Sequence, residues 1–288
     1  EAVLELQLRG ADLRAKRLHL TFDDGPGLRT EELAAYLRDL DIPATFFING
    51  VNVPGRESTV RAVARDGYHA LGNHGQNHLL LTRGLSAAQA MDEVKRTSDI
   101  ARAYAPAGPF YFRPPFQGMT SALYTQLFSD ASMKLVGPIH WDIGGSLSDK
   151  TAADWACWAQ GLTVSACADA YIREVQSKKN GIVLFHDSRS KTVDLVKALV
   201  PRLRGLGTRF VSLRDVPSVK QVLPTGMPVP GHGQCFSGTT VRLVEPGACV
   251  QSSADEAWVR CQTSEWSAFR APPADCTTQT PLAAAVNP

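Results

Sequence analysis

Short apolar segments that favour β-structure alternate with longer helical segments from residue 18 to about residue 215. Because a parallel connection between neighbouring strands needs a crossover, usually a helix, this alternation favours a parallel sheet or an α/β barrel. Seven strands are predicted, and seven fit an incomplete barrel better than a small open sheet. The predicted strands are Leu18–Phe22, Ala44–Ile48, His69–Leu71, Phe110–Phe112, Lys134–Val136, Ile182–Phe185 and Arg209–Val211.

Local sequence signals predict helices between these strands. Thr30 can cap a helix whose first turn is acidic. Ser86 is followed three residues later by Gln89, which is the pattern of a capping box at the start of a helix that runs toward Ala103. The segment Lys191–Arg204 has the apolar periodicity of an amphipathic helix.

The charge balance and the apolar content exclude several classes of protein. Lys and Arg number 30 and Asp and Glu 28, so the formal net charge of +2 argues against nucleic acid or an anionic membrane as a partner. Hydrophobic residues make up 44% of the chain, which is enough for a sizeable core. No apolar run approaches the ~18 residues that a transmembrane segment needs. The first residues lack the basic and apolar regions of a signal peptide, so one was removed or none existed.

The sequence changes character near residue 217. Four prolines and one glycine between Pro217 and Pro230 indicate a linker or an extended connector. Four of the six cysteines follow within the last 54 residues, without a CxxC pair, so disulfides in an oxidising compartment are favoured over structural zinc. Reduced, buried thiols in a cytosolic protein are the alternative. The predicted parts are an N-terminal segment (1–17), an α/β domain (18–221) and a small, disulfide-stabilised, β-rich module (222–288).

The first of four chemically distinctive motifs is TFDDGP at residues 21–26. A strand runs into two adjacent carboxylates and a Gly-Pro turn, which places Asp23 and Asp24 at the carboxyl end of the first strand. Active sites of parallel α/β proteins assemble at that end. One carboxylate could bind a metal while the other faces the substrate. Taken alone, Asp-Asp-Gly-Pro is better interpreted as an ordinary turn.

The second motif is HGQNH, which begins at His74. Two histidines at i and i+4 lie on one face of a helical turn and can share one metal ion. Gly75 stands where a zincin metalloprotease has its glutamate base, so that class is excluded and the base must come from elsewhere, with Asp23 and Asp24 available. With one aspartate, His74 and His78 make three protein ligands and leave room for water, as in a catalytic zinc site. Two surface histidines in a loop are the alternative.

The third and fourth motifs are RPPF and LFHD, and each follows or ends a predicted strand. The prolines of RPPF fix the backbone and leave the N–H groups of Phe116 and Gln117 free for a ligand, while Arg113 can hold a carboxylate. His186 titrates near neutral pH, which suits a general acid. A rigid loop with a solvated arginine and a satisfied histidine at a sheet edge are the alternatives. Because all four motifs lie at the same end of the predicted sheet, one shared site is favoured.

Together, TFDDGP, HGQNH, RPPF and LFHD resemble the motifs of the polysaccharide deacetylases with a NodB-homology domain, carbohydrate esterase family 4. The resemblance covers about residues 18–215. It implies a distorted (β/α) barrel and a divalent metal, in the first place Zn²⁺, with Co²⁺, Mn²⁺ or Ni²⁺ as alternatives. It also implies hydrolysis of N-acetyl groups from N-acetylglucosamine units of a glycan.

Carried over position by position, the resemblance implies a role for each site residue. The family usually has tyrosine in place of Phe116, but the implied contact is made through the main chain. The implied roles are catalytic base (Asp23), group that holds the base (Arg113), general acid (His186), metal ligands (Asp24, His74 and His78), oxyanion donor (the N–H of Phe116) and substrate pocket (Pro115, Phe116 and Leu184).

One motif departs from the pattern of the family. Gly144 stands where the family usually has an aspartate that helps to orient the catalytic histidine. Asp142 lies two residues earlier and would face the same side of a strand, so it could take that role at a different reach. The Asp-Trp pair of the family comes later than usual, at Asp154-Trp155, after an insertion. This suggests a reshaped substrate groove, which Cys157 and Cys167 could staple.

Aromatic side chains supply candidates for stacking against sugar rings. Trp141, Trp155 and Trp158 belong to the reshaped region, although at least one of them is expected in the core. In the terminal module the candidates are Trp258, Trp266 and Phe269, for which a core role is equally favoured.

The predicted function is that of a monomeric glycan N-deacetylase that is secreted or located in the periplasm or cell envelope. Its partner would be a glycan polymer, peptidoglycan or chitin, and a disulfide-bearing accessory module outside the cytosol favours peptidoglycan. A non-catalytic glycan-binding protein on the same scaffold is one alternative, which the change at Gly144 motivates. An amidohydrolase that acts on a small non-sugar amide is another.

Overall fold

The computed structural model describes residues 7–106 and 108–223, and beyond these the backbone of six short strands between residues 235 and 278. The chain divides into two compact units. One contains Glu1–Ala64 and His69–Pro224, and the other contains Arg65–Tyr68 and Thr225–Pro288. The four motifs all lie in the first unit.

A parallel sheet forms the centre of the first unit. Its described strands are β1 (Arg17–Gly25), β2 (Ala44–Ile48), β3 (Ala70–Asn73), β4 (Phe110–Phe112), β5 (Leu135–Val136), β6 (Gly181–His186) and β7 (Arg209–Phe210). The order is β5-β4-β3-β2-β1-β6, and β7 pairs with the start of β1. β1 and β6 run in register from Leu18 opposite Gly181 to Asp23 opposite His186. The carboxyl ends of both strands therefore lie side by side at the same end of the sheet.

An irregular segment after β5 connects the two edges of the sheet. Ile139 donates its N–H to the carbonyl oxygen of Phe112 in β4 at 2.9 Å. Four residues later, Ile143 forms an isolated parallel bridge with Val183 of β6. The sheet is thus closed by a short irregular segment rather than by a regular strand, and the predicted distorted (β/α) barrel is confirmed.

Helices lie between the strands, as the sequence predicts. They are α1 (Thr30–Asp39), α2 (Glu57–Ala64), α3 (Ala87–Tyr104), α4 (Ser121–Ser129), α5 (Asp154–Ala159), α6 (Val164–Lys178), α7 (Ser190–Gly205) and α8 (Pro217–Lys220). The capping box of Ser86 and Gln89 at the start of α3 is confirmed. The prediction that Thr30 caps α1 is wrong, because Thr30 is the first helical residue and its hydroxyl donates to Asp187. Among the helices that the structure describes, none is both long and apolar enough to cross a membrane.

The central strands β1, β2, β4 and β6 are buried on both faces over most of their length, which explains their largely apolar sequences. In one core cluster, Phe22 of β1 stacks on Phe46 of β2 with ring centroids 4.9 Å apart. In a second cluster, Leu8 and Leu13 from the segment before β1 pack with Tyr111 of β4. The residues before β1 are therefore part of the core of this unit.

A disulfide joins α5 to α6. Cys157 and Cys167 have their Cα atoms 5.8 Å apart, and both side chains are fully buried. The predicted staple across the reshaped region is confirmed.

The second unit contains short strands, as predicted for the terminal module. The described strands are β8 (Cys235–Ser237), β9 (Arg242–Val244), β10 (Ala248–Gln251), β11 (Trp258–Gln262), β12 (Glu265–Phe269) and β13 (Thr277–Thr278). β8 pairs with β9, and the others form a sheet with the order β12-β11-β10-β13. The side chains of Trp258, Trp266 and Phe269, and the pairing of the four cysteines in this segment, lie outside the described residues.

Candidate active site

The four motifs meet at one end of the barrel. TFDDGP ends β1, HGQNH follows β3, RPPF follows β4, and His186 ends β6. These strands are parallel and lie close together in the order of the sheet. Their carboxyl ends therefore bring the motif side chains to one mouth of the barrel, where ligands bind in parallel α/β folds.

Asp24, His74 and His78 converge as a candidate metal centre. Asp24 Oδ1 lies 3.5 Å from His74 Nε2 and 3.2 Å from His78 Nε2. His74 Nδ1 lies 2.8 Å from the carbonyl oxygen of Arg113, which can only accept, so Nδ1 carries the proton and Nε2 keeps its lone pair. Burial lowers the pKa of His74 to about 3, although the charge of Asp24 opposes this. The ring is thus neutral, as a metal ligand must be.

The three residues fit a divalent cation. Asp24 Oδ1 is buried and accepts no hydrogen bond within the described part of the chain. A buried carboxylate oxygen without a donor is costly unless a cation or water faces it. Asp24 and His78 also have positive φ angles of 68° and 55°, a backbone conformation that costs on the order of 1 kcal/mol each. The donor set of one carboxylate and two imidazoles leaves a coordination position open, as in catalytic zinc sites.

The helical turn predicted for HGQNH is wrong. Residues 74–78 form an irregular loop, in which Gly75 has a φ of 77° and His78 a φ of 55°. Asn73 at the end of β3 accepts the N–H of Gly75 on its side chain at 2.8 Å and so fixes the start of the loop. The two imidazole rings come within 5.1 Å through this loop rather than through helical periodicity.

Asp23 is a buried carboxylate that an equally buried arginine holds. Arg113 Nη1 donates to Asp23 Oδ1 at 2.6 Å, and the guanidinium also donates to Thr21 and to the carbonyl oxygen of Ile139. Asp23 Oδ2 lies 3.6 Å from His74 Nε2, so this second oxygen faces the candidate metal centre. Burial raises the pKa of Asp23, and the positive charge of Arg113 opposes the rise.

RPPF forms a tight turn beside the metal centre. Phe116 and Gln117 both have positive φ angles, of 55° and 58°. The ring of Phe116 is exposed and lies 4.6 Å from the ring of His78, while Pro115 is buried. Gln117 donates its N–H to the carbonyl oxygen of Pro114 at 3.2 Å, so the prediction that this N–H is free for a ligand is wrong.

His186 pairs with Asp154, which the sequence prediction did not choose as its partner. Asp154 Oδ1 lies 2.8 Å from His186 Nδ1, and Asp154 Oδ2 accepts the main-chain N–H of His186 at 2.8 Å. Asp154 is fully buried and also accepts a hydrogen bond from the Thr192 hydroxyl. Burial alone would lower the pKa of His186, but the hydrogen bond and charge of Asp154, with the charges of Asp23 and Asp24, raise it to about 9. His186 is therefore protonated at neutral pH.

Asp142 contacts the opposite end of β6, so its predicted partnership with His186 is wrong. Asp142 Oδ2 accepts the N–H groups of Gly10 and Ile182, both at 2.8 Å. Ile182 lies near the start of β6 and His186 at its end, about 13 Å away at strand spacing. A separation of two residues predicts that the side chains of residues 142 and 144 lie on the same side of a strand. It does not predict which end of β6 the side chain of Asp142 reaches. The Asp154-Trp155 pair was the sequence signal for the correct partner.

Gly144 leaves no room for the aspartate that the resemblance leads one to expect there. Its φ is 96°, and a Cβ atom would overlap the carbonyl oxygen of Leu184. Its N–H donates to Glu174 Oε2 at 3.2 Å. The path of this loop thus requires a glycine at position 144. His186 has a carboxylate partner, Asp154, although the aspartate expected at position 144 is absent.

We expect Gly144→Ala to lower the free energy of unfolding by about 2 kcal/mol or more, because both the backbone conformation and the new methyl group are unfavourable. Gly161→Ala is the matched control, since Gly161 also has a positive φ of 70° but a Cβ atom there would have no neighbour within 4 Å. Denaturant unfolding of both variants measures the difference. Equal losses of stability would contradict the steric argument.

Among the tryptophans whose side chains the structure describes, Trp155 presents the most exposed ring, with 45% of its surface accessible. Trp141 is partly buried, and its ring centroid lies 5.5 Å from Arg113 Cζ. Trp158 packs against the main hydrophobic core. Leu184 is buried on β6, two residues before His186. Trp155 is therefore the most accessible of these tryptophans, and Trp158 packs against the core, as expected of at least one of them.

The fold and the site together define a class of protein, a parallel α/β barrel with an Asp-His-His triad, an arginine-held aspartate and a His–Asp pair at one mouth. Residues 10–136 match the family model for polysaccharide deacetylase. Over this part of its length the chain is similar to the polysaccharide deacetylase family, and its relatives and a solved structure point to the same family.

Individual relatives agree with this assignment. The chain is 27% identical over 212 residues to the peptidoglycan-N-acetylmuramic acid deacetylase PdaC of Bacillus subtilis, an alignment that covers 73% of this chain but 40% of PdaC. It is 29% identical over 209 residues to a chitooligosaccharide deacetylase of Bradyrhizobium sp., with 67% of this chain and 86% of the relative covered. A solved structure of PdaC matches with a TM-score of 0.57 at 26% identity, over 73% of this chain and 94% of that structure. This chain thus spans less than half the length of full PdaC.

Proposed function

We propose that this protein is a metal-dependent hydrolase that removes N-acetyl groups from N-acetylglucosamine residues of a glycan polymer. The observation that carries the proposal is the placement of two acid–base groups at one candidate metal centre. Asp23 is held by Arg113 with its free oxygen toward His74, and His186 is held by Asp154. Amide hydrolysis needs such a base for water and such an acid for the leaving amine.

Asp24, His74 and His78 would hold the cation. One carboxylate and two imidazoles with an open position favour Zn²⁺, and the same donors also suit Co²⁺, Mn²⁺ and Ni²⁺. A divalent cation bound there supplies Lewis-acid chemistry, because it polarises an amide carbonyl and lowers the pKa of water.

Asp23 would act as the general base. Its Oδ1 is occupied by Arg113, so Oδ2 is the oxygen that can take a proton from water as the water attacks the carbonyl carbon. Arg113 keeps the carboxylate oriented during this step, since it also donates to the carbonyl oxygens of Ile139 and His140 in the segment after β5. The N–H of Phe116 would donate to the oxyanion of the tetrahedral intermediate.

His186 would protonate the leaving amine. Because Asp154 binds Nδ1 and raises the pKa to about 9, the imidazolium is the main form at neutral pH and its other nitrogen carries a proton for the amine. Proton transfer allows the C–N bond to break, which releases acetate and the free amino sugar. Leu184 would line the acetyl pocket, with Pro115 and Phe116 at its rim and the exposed ring of Trp155 available for a sugar face.

Peptidoglycan is the favoured substrate, and chitin or its oligomers are the alternative. Relatives named for peptidoglycan N-acetylglucosamine and for chitooligosaccharides are both similar to this chain, so these similarities do not separate the two polymers. The buried Cys157–Cys167 disulfide supports folding in an oxidising compartment, hence a secreted or envelope-located enzyme. We keep the prediction that it acts as a monomer.

Acetate release from peptidoglycan and from N-acetylglucosamine oligomers tests the proposal directly. We expect release with added zinc, loss of release after chelation, and recovery when zinc is restored, because the Asp24, His74 and His78 donors converge on one point. The faster substrate identifies the polymer. No release from either glycan, with tight glycan binding retained, would contradict the hydrolase and favour a binding protein, and release from small amides alone would favour a different amidohydrolase.

A further inference from the structure

The segment that carries Asp154 has little regular structure of its own. Between β5 and α6 its main regular element is α5, a helix of six residues that begins at Asp154. So short a helix is not stable by itself, because helix nucleation is costly. Asp154 nevertheless meets His186 with two contacts of 2.8 Å. Something outside the segment must fix its position.

One face of α6 provides attachments to this segment. Cys167, Tyr171 and Glu174 are spaced i, i+4 and i+7 along the helix, so their side chains lie on one side. All three are buried. Cys167 is bonded to Cys157 of α5, and the other two bind the segment through hydrogen bonds.

The Tyr171 hydroxyl links the two partners of the His–Asp pair. It accepts the main-chain N–H of Asp154 at 3.0 Å and donates to the carbonyl oxygen of Leu184, two residues before His186, at 3.0 Å. Its ring stacks on Phe185 with centroids 4.7 Å apart. One side chain thus sets the distance between the start of α5 and the end of β6.

The Glu174 carboxylate fixes the loop that precedes α5. Its Oε2 accepts the N–H of Gly144 at 3.2 Å and the N–H of Ala152 at 2.7 Å. The two ends of the loop are therefore tied to one oxygen atom. Gly144 can make this approach because it has no side chain, as its Cβ would overlap Leu184.

We propose that Tyr171 and Glu174 are positioning residues that hold Asp154 in hydrogen-bonding contact with His186. The inference rests on the proposed function for its catalytic consequence. The contact itself is structural and can be measured without turnover. Acid catalysis is sensitive to such placement, since a shift of about 1 Å in a supporting group can cost on the order of 10²-fold in rate.

The first test is Tyr171→Phe, which keeps the ring and removes the hydroxyl. We expect kcat to fall about five- to tenfold while KM stays within about twofold of wild type. The reason is that the hydroxyl loses two buried hydrogen bonds, one to the N–H of Asp154 and one to the carbonyl oxygen of Leu184. NMR titration of the His186 imidazole in the zinc-loaded full chain should show a lower pKa than in wild type. The charged groups that face His186 are Asp154 of α5 and Asp23 and Asp24 of β1. In Tyr171→Phe only Asp154 should change its position relative to His186. Tyr104→Phe at the end of α3, where the ring packs against Arg61, is the matched control and should match wild type.

The second test compares Glu174→Gln with Glu174→Ala. The amide oxygen of glutamine can accept the same two N–H groups, so Glu174→Gln should retain most of kcat, whereas Glu174→Ala should lose about tenfold. Equal losses in both variants would overturn the positioning role of Glu174. This pair also keeps the inference testable if Tyr171→Phe fails to fold.

The outcomes separate this inference from the proposed function. Inactive wild-type protein with a lowered His186 pKa in Tyr171→Phe would reject the hydrolase and retain the positioning role. Active wild-type protein, with kcat and the His186 pKa unchanged in Tyr171→Phe despite a lower Tm, would reject the positioning role and leave Tyr171 as a core residue only.

Discussion

Asp23→Asn is expected to reduce kcat for acetate release by about 10³-fold, because an amide cannot accept the proton of the attacking water. The substitution keeps the shape of the side chain, and Arg113 can still donate to the amide oxygen at the place of Oδ1. Zinc binding should be retained, since the candidate ligand from this motif is Asp24. Acetate release and calorimetric zinc titration on the same preparation separate the two effects.

Asp149→Asn is the matched control for this experiment. Asp149 is an exposed carboxylate in the loop before α5, and its neutralisation should leave kcat unchanged. Because Arg113 is fully buried, its uncompensated charge in Asp23→Asn should also lower stability by about 3 kcal/mol, so a thermal melt must show that the variant is folded in the assay. A folded, zinc-loaded Asp23→Asn variant with activity within tenfold of wild type would contradict the role of Asp23 as base.

Asp154→Asn is expected to lower kcat by about 10²-fold and to move the alkaline limb of the pH profile to lower pH. The general acid must be protonated, so activity is lost as pH rises through the pKa of His186, which Asp154 holds at about 9. Without that negative charge the pKa falls, and the loss begins at lower pH. The pH dependence of kcat measures both effects.

The same pair should contribute to the pH dependence of stability. The folded pKa of His186, about 9, lies above the value of ~6.5 in an unfolded chain. Its contribution to the free energy of unfolding is therefore complete below about pH 6.5 and is lost as pH rises through about 9. In Asp154→Asn this alkaline loss should shrink.

Asp142→Asn is the matched control for Asp154→Asn. Asp142 binds Gly10 and Ile182 with one oxygen, and the amide oxygen of asparagine can replace it there. We expect kcat and its alkaline limb to be unchanged in Asp142→Asn. If Asp142→Asn moved that limb and Asp154→Asn did not, the assignment from the structure would be wrong.

Local sequence signals were sufficient for the strands and for most of the site. The apolar segment of β6 is continuous because both faces of the sheet are covered, and such a pattern depends on burial alone. TFDDGP, HGQNH, RPPF and LFHD are contiguous motifs at strand ends, so the direction of a parallel sheet was enough to predict that they meet. The Ser86 and Gln89 capping box likewise involves neighbouring residues.

Features that depend on loop paths were predicted incorrectly. HGQNH was predicted as a helical turn, yet positive φ angles at Gly75 and His78 fold it into a loop that brings the same two imidazoles together. Asp142 was chosen as a partner of His186 on spacing, but spacing does not show which end of β6 a side chain reaches. Such backbone conformations leave no periodic pattern in the sequence.

The amino-acid sequence was enough to predict the alternation of strands and helices, the resemblance to a family, and the residues of the Asp-His-His triad, because each depends on local patterns and short motifs. The partner of His186 was decided by the tertiary structure. Asp154 is 32 residues away in sequence and reaches His186 through α6, whose Tyr171 and Glu174 hold a loop that bends at Gly144. A contact between distant residues depends on how helices pack on the sheet, and that packing is a property of the whole folded chain.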